Sequence, residues 1–217
     1  FEYDSKKSGG VTISHLRFGP EPIRSSYYVT MSDFVACHNA SYLEKYPMVQ
    51  DCKPGGTFLI NCGYTLEELS GILPVEAKQY IAKNQVNVYT IDAVKIGKEL
   101  GLGTKYNMVL MSAFFKLANI IPIEDAVKYM KQACEDSYGK FGEETVQKNK
   151  NAVDAGLTGL VKLEIPADWA TTTLGGVEAA PAESPRPELS TLIKDVLVPA
   201  NAMRGDEIPV SKLMPLA

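Results

Sequence analysis

Residues 57–61 read TFLIN, and this short apolar run decides the fold. It lies between residues 54–56 (PGG), which we predict to form a turn, and residues 62–63 (CG). An apolar run of this length between turn residues is typical of a strand that is buried on both faces, as in a parallel sheet. Residues 34–37 (FVAC) and 86–92 (VNVYTID) have the same character, so the sequence predicts three such strands.

Helical segments alternate with these strands. Thr65 and Glu68 have the spacing of a capping box, which indicates that a helix begins there. Residues 74–84 are predicted to form a helix with Lys78 and Lys83 on its polar side. Further predicted helices cover residues 93–100, with Asp92 as the cap, and residues 107–117, 122–134 and 141–156. This alternation predicts an α/β fold with a mainly parallel sheet and flanking helices.

The first part of the chain has weaker signals. Residues 11–18 alternate apolar and polar side chains with a period of two, which predicts a half-buried strand. With residues 27–30 it would form an antiparallel hairpin. Residues 41–44 (SYLE) resemble another helix N-cap box, with Ser41 as the cap.

The composition changes near Asp168. Residues 171–187 are rich in threonine, alanine, glycine and proline, which is typical of an extended linker because such a segment buries little apolar surface. Residues 188–198 could form one short helix after it. We therefore predict a domain over residues 1–167, followed by a linker and the start of the next segment over residues 168–217.

Charge and hydropathy exclude several classes of protein. The net charge is −4, so there is no general basic field that would attract nucleic acid. No apolar run approaches the roughly 20 residues that a membrane-spanning helix needs. The four cysteines, Cys37, Cys52, Cys62 and Cys134, include no C-x-x-C pair, so we expect free thiols and no metal site.

Residues 3–10 (YDSKKSGG) form the first candidate binding segment. Ser5, Lys6 and Lys7 combine hydroxyl and ammonium groups with a glycine-rich backbone, and such a loop can hold phosphate. The segment is not a Walker motif. A solvated basic turn remains the alternative interpretation.

Two further candidates follow predicted elements of the sheet. Asn61 ends a buried strand, where open α/β sheets place ligands, although it could equally be part of a plain turn. His38 has the analogous position after the preceding strand, and we interpret it as a hydrogen-bonded loop histidine.

A third candidate lies where the helix at residues 107–117 begins, and it comprises Thr104, Lys105 and Asn107. The N-terminus of this helix would favour an anion. No catalytic residues can be assigned.

Several of these segments together resemble the central, gamma-type domain of the single-chain pyruvate:ferredoxin (flavodoxin) oxidoreductases. The resemblance extends over essentially the whole chain. It is carried by the segments YDSKKSGG (3–10), HLRFG (15–19), PIRS (22–25), FVACH (34–38), GTFLIN (56–61) and AFFKL (113–117).

The resemblance implies a Rossmann-like domain that lacks its first strand, with an open sheet edge, within a longer enzyme. Such an enzyme oxidatively decarboxylates pyruvate to acetyl-CoA and CO2 and passes electrons to ferredoxin or flavodoxin. Thiamine diphosphate, Mg²⁺ and [4Fe-4S] clusters are expected in its other domains. Coenzyme A is expected at this domain, near Lys6 and Lys7 and near the turn with Thr104, Lys105 and Asn107.

The same resemblance implies a homodimeric enzyme of anaerobic metabolism, located in the cytoplasm or in an anaerobic organelle or the mitochondrial matrix. The fragment alone is expected to be inactive. The main alternative is a noncatalytic ligand-binding or subunit-assembly module, which the apolar helix at residues 107–117 would suit. An independent nucleotide-dependent dehydrogenase is disfavoured because the G-x-G-x-x-G motif is absent.

Overall fold

The structure of the chain is a computed structural model that describes residues 1–3, 10–173, 186–202 and 204–213. Internal contacts divide the chain into two compact units. The smaller unit comprises Phe1–Met31, Lys45–Pro47 and Glu178–Ala217, and the larger unit comprises Ser32–Glu44 and Met48–Val177. The predicted boundary at residue 167 stays a prediction.

The smaller unit begins with two short antiparallel strands, β1 (Glu2–Tyr3) and β2 (Thr12–Ile13). The predicted strand over residues 11–18 is wrong beyond β2, and residues 27–30 form no strand. Side chains replace the backbone ladder that a hairpin would need. The N–H of Val29 donates to Nδ1 of His15 at 3.2 Å, and the Arg17 guanidinium donates to the carbonyl of Tyr28 at 2.9 Å.

The larger unit is built on a sheet that has four strands within the described residues, in the order β3-β4-β5-β6. The strands are β3 (Ser32–Cys37), β4 (Cys52–Asn61), β5 (Asn87–Ile91) and β6 (Val161–Lys162). The first three are parallel, and β6 is antiparallel to β5. The prediction of an α/β fold with a mainly parallel sheet is therefore confirmed.

The predicted turn at residues 54–56 is wrong, because these residues lie inside β4. The pattern nevertheless marks an irregularity. The pairing with β3 jumps from Ser32–Cys52 to Phe34–Thr57, and Gly55 has a left-handed φ of 73°. The Pro-Gly-Gly sequence is thus used for a bulge in a strand rather than for a connection between strands.

Six helices of the larger unit lie within the described residues: α1 (Leu66–Ile72), α2 (Val75–Lys83), α3 (Ala93–Glu99), α4 (Asn107–Ala118), α5 (Ile123–Tyr138) and α6 (Glu143–Thr158). Each overlaps a predicted helix. The capping box at Thr65 is present, with reciprocal bonds between Thr65 and Glu68, and Asp92 caps α3.

The predicted N-cap at Ser41 is wrong. Asn39 caps a short 3₁₀ turn at Ala40–Tyr42, and its side-chain oxygen accepts a hydrogen bond from the N–H of Ser41 at 3.1 Å. Asn is as good an N-cap as Ser, and it comes first after the strand. The local sequence pattern could not separate the two candidates.

Alternating side chains of β4 point into two separate cores. Phe58 and Ile60 pack on one face, in a core that includes buried residues of α1 and α2. Leu59 packs on the other face, against α4, α5 and α6. Successive side chains of a strand point to opposite faces of the sheet, so alternate residues of the apolar run stabilise different layers of helices.

The prediction that Lys78 lies on a polar face is wrong, because only 3% of the residue is exposed. Trp169, in the 3₁₀ turn Ala167–Thr171, packs on the same face of the sheet as α2. The Lys78 ammonium lies 5.8 Å from the centroid of the Trp169 ring. Burial lowers the pKa of Lys78. A segment 91 positions later in the chain thus covers a side chain that helical periodicity would expose.

The C-terminal part of the smaller unit is mostly helical where it is described. It contains α7 (Pro187–Leu192), a π-helical turn (Ile193–Leu197), α8 (Val198–Asn201) and 3₁₀ turns at Gly205–Glu207 and Val210–Lys212. The predicted helix at residues 188–198 extends over most of α7, the π-helical turn and the first residue of α8. Most of the predicted linker, residues 174–185, lies outside the described residues. None of the described helices is both long and apolar enough to cross a membrane.

Candidate functional site

The larger unit has a cavity of about 550 Å³ between β3 and α4. Two periodic patterns form its walls. Alternate residues of β3 and the position after it contribute Phe34, Ala36 and His38. One face of α4 contributes residues spaced by three or four positions, namely Asn107, Leu110, Met111 and Phe114. Most of the wall is therefore apolar.

The cavity is open because β3 is an edge strand in the described part of the sheet. Ala36 and His38 are exposed, although they lie on the same face of the sheet as the core around Leu59. The rings of Phe34 and Phe114 meet edge to face, with 5.1 Å between their centroids. This pair fixes the distance between strand and helix on the apolar side.

A glycine-rich turn supplies the polar wall. Gly101 and Gly103 have left-handed φ angles of 68° and 62°, which glycine adopts at little cost. The turn is also held by two backbone bonds, from Leu102 N–H to the Gly97 carbonyl at 2.8 Å and from Lys105 N–H to the Leu102 carbonyl at 3.1 Å. These constraints place Thr104, Lys105 and Asn107 together at the cavity, and their role in ligand binding stays a prediction.

The N-terminus of α4 adds to this polar wall. Tyr106 occupies the N-cap position, and within the described residues its side chain makes no capping hydrogen bond. The N-cap side chain therefore takes up none of the first N–H groups of the helix, and the helix dipole favours an anion at this end. Lys105 adds a positive charge beside it, so the arrangement suits a ligand with an apolar body and an anionic group.

Asn61 lies close to this region but does not line the cavity. Its side-chain nitrogen donates to the His38 carbonyl at 3.1 Å, and its side-chain oxygen accepts from the N–H of Ala93 at 3.0 Å. Only 7% of Asn61 is exposed. The amide thus joins the ends of β3 and β4 to the start of α3, and its role in ligand binding stays a prediction.

The candidate residues Ser5, Lys6 and Lys7 lie outside the described residues. Their predicted contact with a phosphate group therefore rests on the sequence.

Sequence reasoning did not place His38 in a cavity. Although His38 is exposed as a residue, partial desolvation of its ring at the cavity lowers the pKa of the imidazole and favours the neutral form, which can accept a hydrogen bond. The signal that would have placed it is the alternation of residues 34, 36 and 38, which puts His38 on the same face as Phe34.

The cysteines show no sign of reactivity. All four are free and buried. Burial is the largest cause that raises the pKa of Cys37 and of Cys52, each to about 11. Thiols in such surroundings remain protonated and are poor nucleophiles and metal ligands. Among the described residues, no three His, Cys, Asp or Glu side chains come together in an arrangement that could hold a metal ion.

Comparison with known proteins decides the family. The sequence model described as "Pyruvate ferredoxin/flavodoxin oxidoreductase" matches residues 1–159, which is most of the chain. The chain belongs to this family. The resemblance inferred from the sequence is thereby confirmed.

Several oxidoreductases of the family are similar to the chain over almost its whole length. It is 46% identical to the pyruvate:ferredoxin oxidoreductase of Moorella thermoacetica over 99% of the chain, and this covers 18% of that protein. It is 48% identical to the pyruvate-flavodoxin oxidoreductase of Enterobacter agglomerans over 97% of the chain, which covers 17% of that protein. The chain therefore spans less than a fifth of the length of these relatives.

A solved structure of an oxidoreductase subunit has a similar fold. The match is to the pyruvate oxidoreductase subunit PORC of Thermotoga maritima, with a TM-score of 0.50 and 18% sequence identity. It covers 63% of this chain and 67% of that subunit. At this identity the likeness supports the fold and gives no assignment of individual residues.

Proposed function

We propose that the chain is the coenzyme A-contacting part of an enzyme that oxidatively decarboxylates pyruvate to acetyl-CoA and CO2. Electrons would pass to ferredoxin or flavodoxin as a low-potential carrier. The supporting observation is the cavity lined by Thr104, Lys105 and Asn107, whose polar wall suits an anionic group. Membership of the oxidoreductase family makes coenzyme A the ligand to test first.

The proposed role of these residues is binding and orientation. Coenzyme A carries phosphate groups, which Lys105 and the N–H groups at the start of α4 can hold by charge-assisted hydrogen bonds. Phe34, Leu110 and Phe114 offer apolar surface to the rest of the ligand. Lys6 and Lys7 are proposed to contact phosphate as well, on the basis of their sequence alone.

Thiamine diphosphate, Mg²⁺ and [4Fe-4S] clusters supply the decarboxylation and electron transfer in the proposed activity. The described residues do not fit the metal ion or the clusters, because their cysteines are buried and no metal-binding set is present among them. We therefore propose that these cofactors belong to other parts of the enzyme.

The test uses Lys105→Met in the full-length enzyme, with Lys98→Met as the matched control. Lys98 is an exposed lysine of α3 that does not line the cavity. We expect Lys105→Met to raise KM for coenzyme A about tenfold, because a charge-assisted hydrogen bond contributes about 1.5 kcal/mol. KM for pyruvate and the rate of decarboxylation should stay near the parent values, and Lys98→Met should change neither KM.

A double variant tests the basic segment in the same assay. Lys6→Ala combined with Lys7→Ala should raise KM for coenzyme A and leave pyruvate decarboxylation largely intact. Unchanged coenzyme A kinetics in both the Lys105 variant and the double variant would remove the basis for this proposal.

A role in assembly is the second candidate, and the surface of the smaller unit favours it. Large apolar side chains in its first 31 residues are exposed, including Leu16 at 68% and Tyr27 at 71%. Surface of this kind is typical of contacts with other protein segments. We propose that the other domains of the same enzyme cover it in a homodimeric assembly. The location in the cytoplasm, or in an anaerobic organelle or mitochondrial matrix, stays a prediction.

A further inference from the structure

We propose that Gly97 is a positioning residue for the polar wall of the cavity. The lack of a side chain at Gly97 would allow the turn at residues 101–106 to lie close against α3, and the turn carries Thr104 and Lys105. The inference rests on the proposed contact of this turn with coenzyme A.

The space around Gly97 is filled by the turn. A Cβ atom at this position would lie 3.3 Å from the Gly103 carbonyl oxygen and 3.3 Å from the Cβ of Tyr106. Both distances are tighter than nine in ten contacts of real Cβ atoms, so the turn would have to give by a few tenths of an ångström. The carbonyl of Gly97 also accepts the hydrogen bond from Leu102 N–H at 2.8 Å. The same residue therefore bonds to the turn and sets its closest approach.

Backbone conformation does not explain a glycine here. Gly97 lies inside α3 and is not among the described residues with a positive φ. Glycine is the least favourable ordinary residue in the interior of a helix. The close contact with the turn is thus the feature of the structure that favours glycine at this position.

A side chain at Gly97 would displace the turn rather than the helix. The start of α3 is fixed by the Asp92 cap and by the hydrogen bond from the N–H of Ala93 to Asn61. Gly103 and Lys105, by contrast, are exposed. The turn is the part that can move outward, and Lys105 would move with it.

The test compares Gly97→Ala and Gly97→Val with Gly71→Ala in the full-length enzyme. Gly71 is a helical glycine of α1 at which an added Cβ would meet nothing within 4 Å. We expect Gly97→Ala to raise KM for coenzyme A about three- to tenfold, because small displacements of positioning groups are costly, and Gly97→Val to raise it further. KM for pyruvate and kcat should stay within about twofold, and Gly71→Ala should change none of these values.

Amide hydrogen exchange supplies a readout that does not depend on the ligand. The hydrogen bond from Lys105 N–H to the Leu102 carbonyl should open more often in Gly97→Val, so exchange at the Lys105 amide should become faster. Exchange in β4 and β5 should not change. A variant that merely destabilises the domain would accelerate exchange in the sheet as well and would raise both KM values.

The outcomes separate this inference from the proposed function. If Lys105→Met raises KM for coenzyme A but Gly97→Val does not, the positioning role is wrong and the proposed function stands. If Lys105→Met leaves that KM unchanged, the proposed contact is wrong and this inference falls with it. If Gly97→Val raises both KM values and also accelerates amide exchange in the sheet, the positioning role is wrong as well.

Discussion

The end of β4 and the turn before α4 look alike in sequence but differ in what their polar groups do. Each places an asparagine near glycine at the edge of a buried element, and each is a candidate for ligand binding. In the structure both polar groups of Asn61 bond to the backbone of the same fold. Thr104, Lys105 and Asn107 instead line a cavity. The two regions thus differ in how firmly their amides are held: both polar atoms of Asn61 bond to backbone, whereas the side-chain nitrogen of Asn107 has one long hydrogen bond, to the Tyr138 hydroxyl at 3.5 Å.

The largest expected effect concerns Asn61. Asn61→Leu keeps the size of the side chain but removes the partners of the Ala93 N–H and the His38 carbonyl. We expect the free energy of unfolding to fall by about 2 to 3 kcal/mol, because a buried backbone group without a partner is costly. Urea denaturation followed by far-UV circular dichroism measures this change.

Lys105→Met is the matched variant for the other region. It should change the free energy of unfolding by less than about 0.5 kcal/mol, since an exposed side chain away from special contacts contributes little. The comparison would break if Asn61→Leu kept full stability and raised KM for coenzyme A, because Asn61 would then act on the ligand and not on the fold.

A smaller effect is expected from His38, at the rim of the cavity. Its pKa is lowered in the folded state, so the unfolded chain binds a proton first as the pH falls. The stability associated with neutral His38 is therefore fully present above a pH of about 6.5 and declines below it, toward the lowered folded pKa. His38→Gln should reduce the loss of unfolding free energy between pH 7 and pH 5.

An NMR titration of the His38 ring sharpens the same point. Its midpoint in the folded protein should lie below that of an unfolded peptide. A midpoint above the peptide value would mean that the imidazolium is stabilised at the rim, which contradicts the expected sign.

The local signals of the sequence predict much of the larger unit. The strand at residues 57–61 and the caps at Thr65 and Asp92 depend on neighbours a few positions away, and all three are present. Asn61 could not be understood in this way, because its two partners are 23 and 32 positions distant. The prediction that Lys78 is exposed was wrong for the same reason, since Trp169 approaches it from a distant part of the chain.

The smaller unit was predicted less well, and the reason is again physical. The alternation in residues 11–18 indicates a strand, but His15 and Arg17 bond to the backbone of residues 27–29 and take up groups that a ladder would use. Side chains that hydrogen-bond to the backbone can prevent a strand from forming even where the sequence alternates with a period of two. In the candidate site, the turn before α4 was predicted because its signals, the glycines and the start of a helix, are local in the sequence. The wall that β3 contributes to the cavity was not predicted, because β3 and α4 are far apart in the chain.

The smallest expected effect concerns the thiols near the end of β4. Cys37 and Cys62 are buried, and burial raises the pKa of both. At pH 7.5 the folded chain should react only slowly with Ellman's reagent, and all four cysteines should react at once in guanidinium chloride. A thiol that reacts rapidly in the folded chain would contradict this prediction, because it would show that a buried cysteine becomes accessible to solvent.

Trp169 is the single tryptophan of the chain, and its place gives the molecule a built-in spectroscopic reporter. It is 6% exposed and lies on the face of the sheet opposite the cavity, next to the Lys78 ammonium. The segment is fastened by a hydrogen bond from the Gln79 side chain to the Thr172 carbonyl at 2.9 Å. Its emission should shift to longer wavelength when residues 167–172 detach from α2. Fluorescence therefore follows one layer of helices separately, while occupancy of the cavity on the other face leaves the signal unchanged.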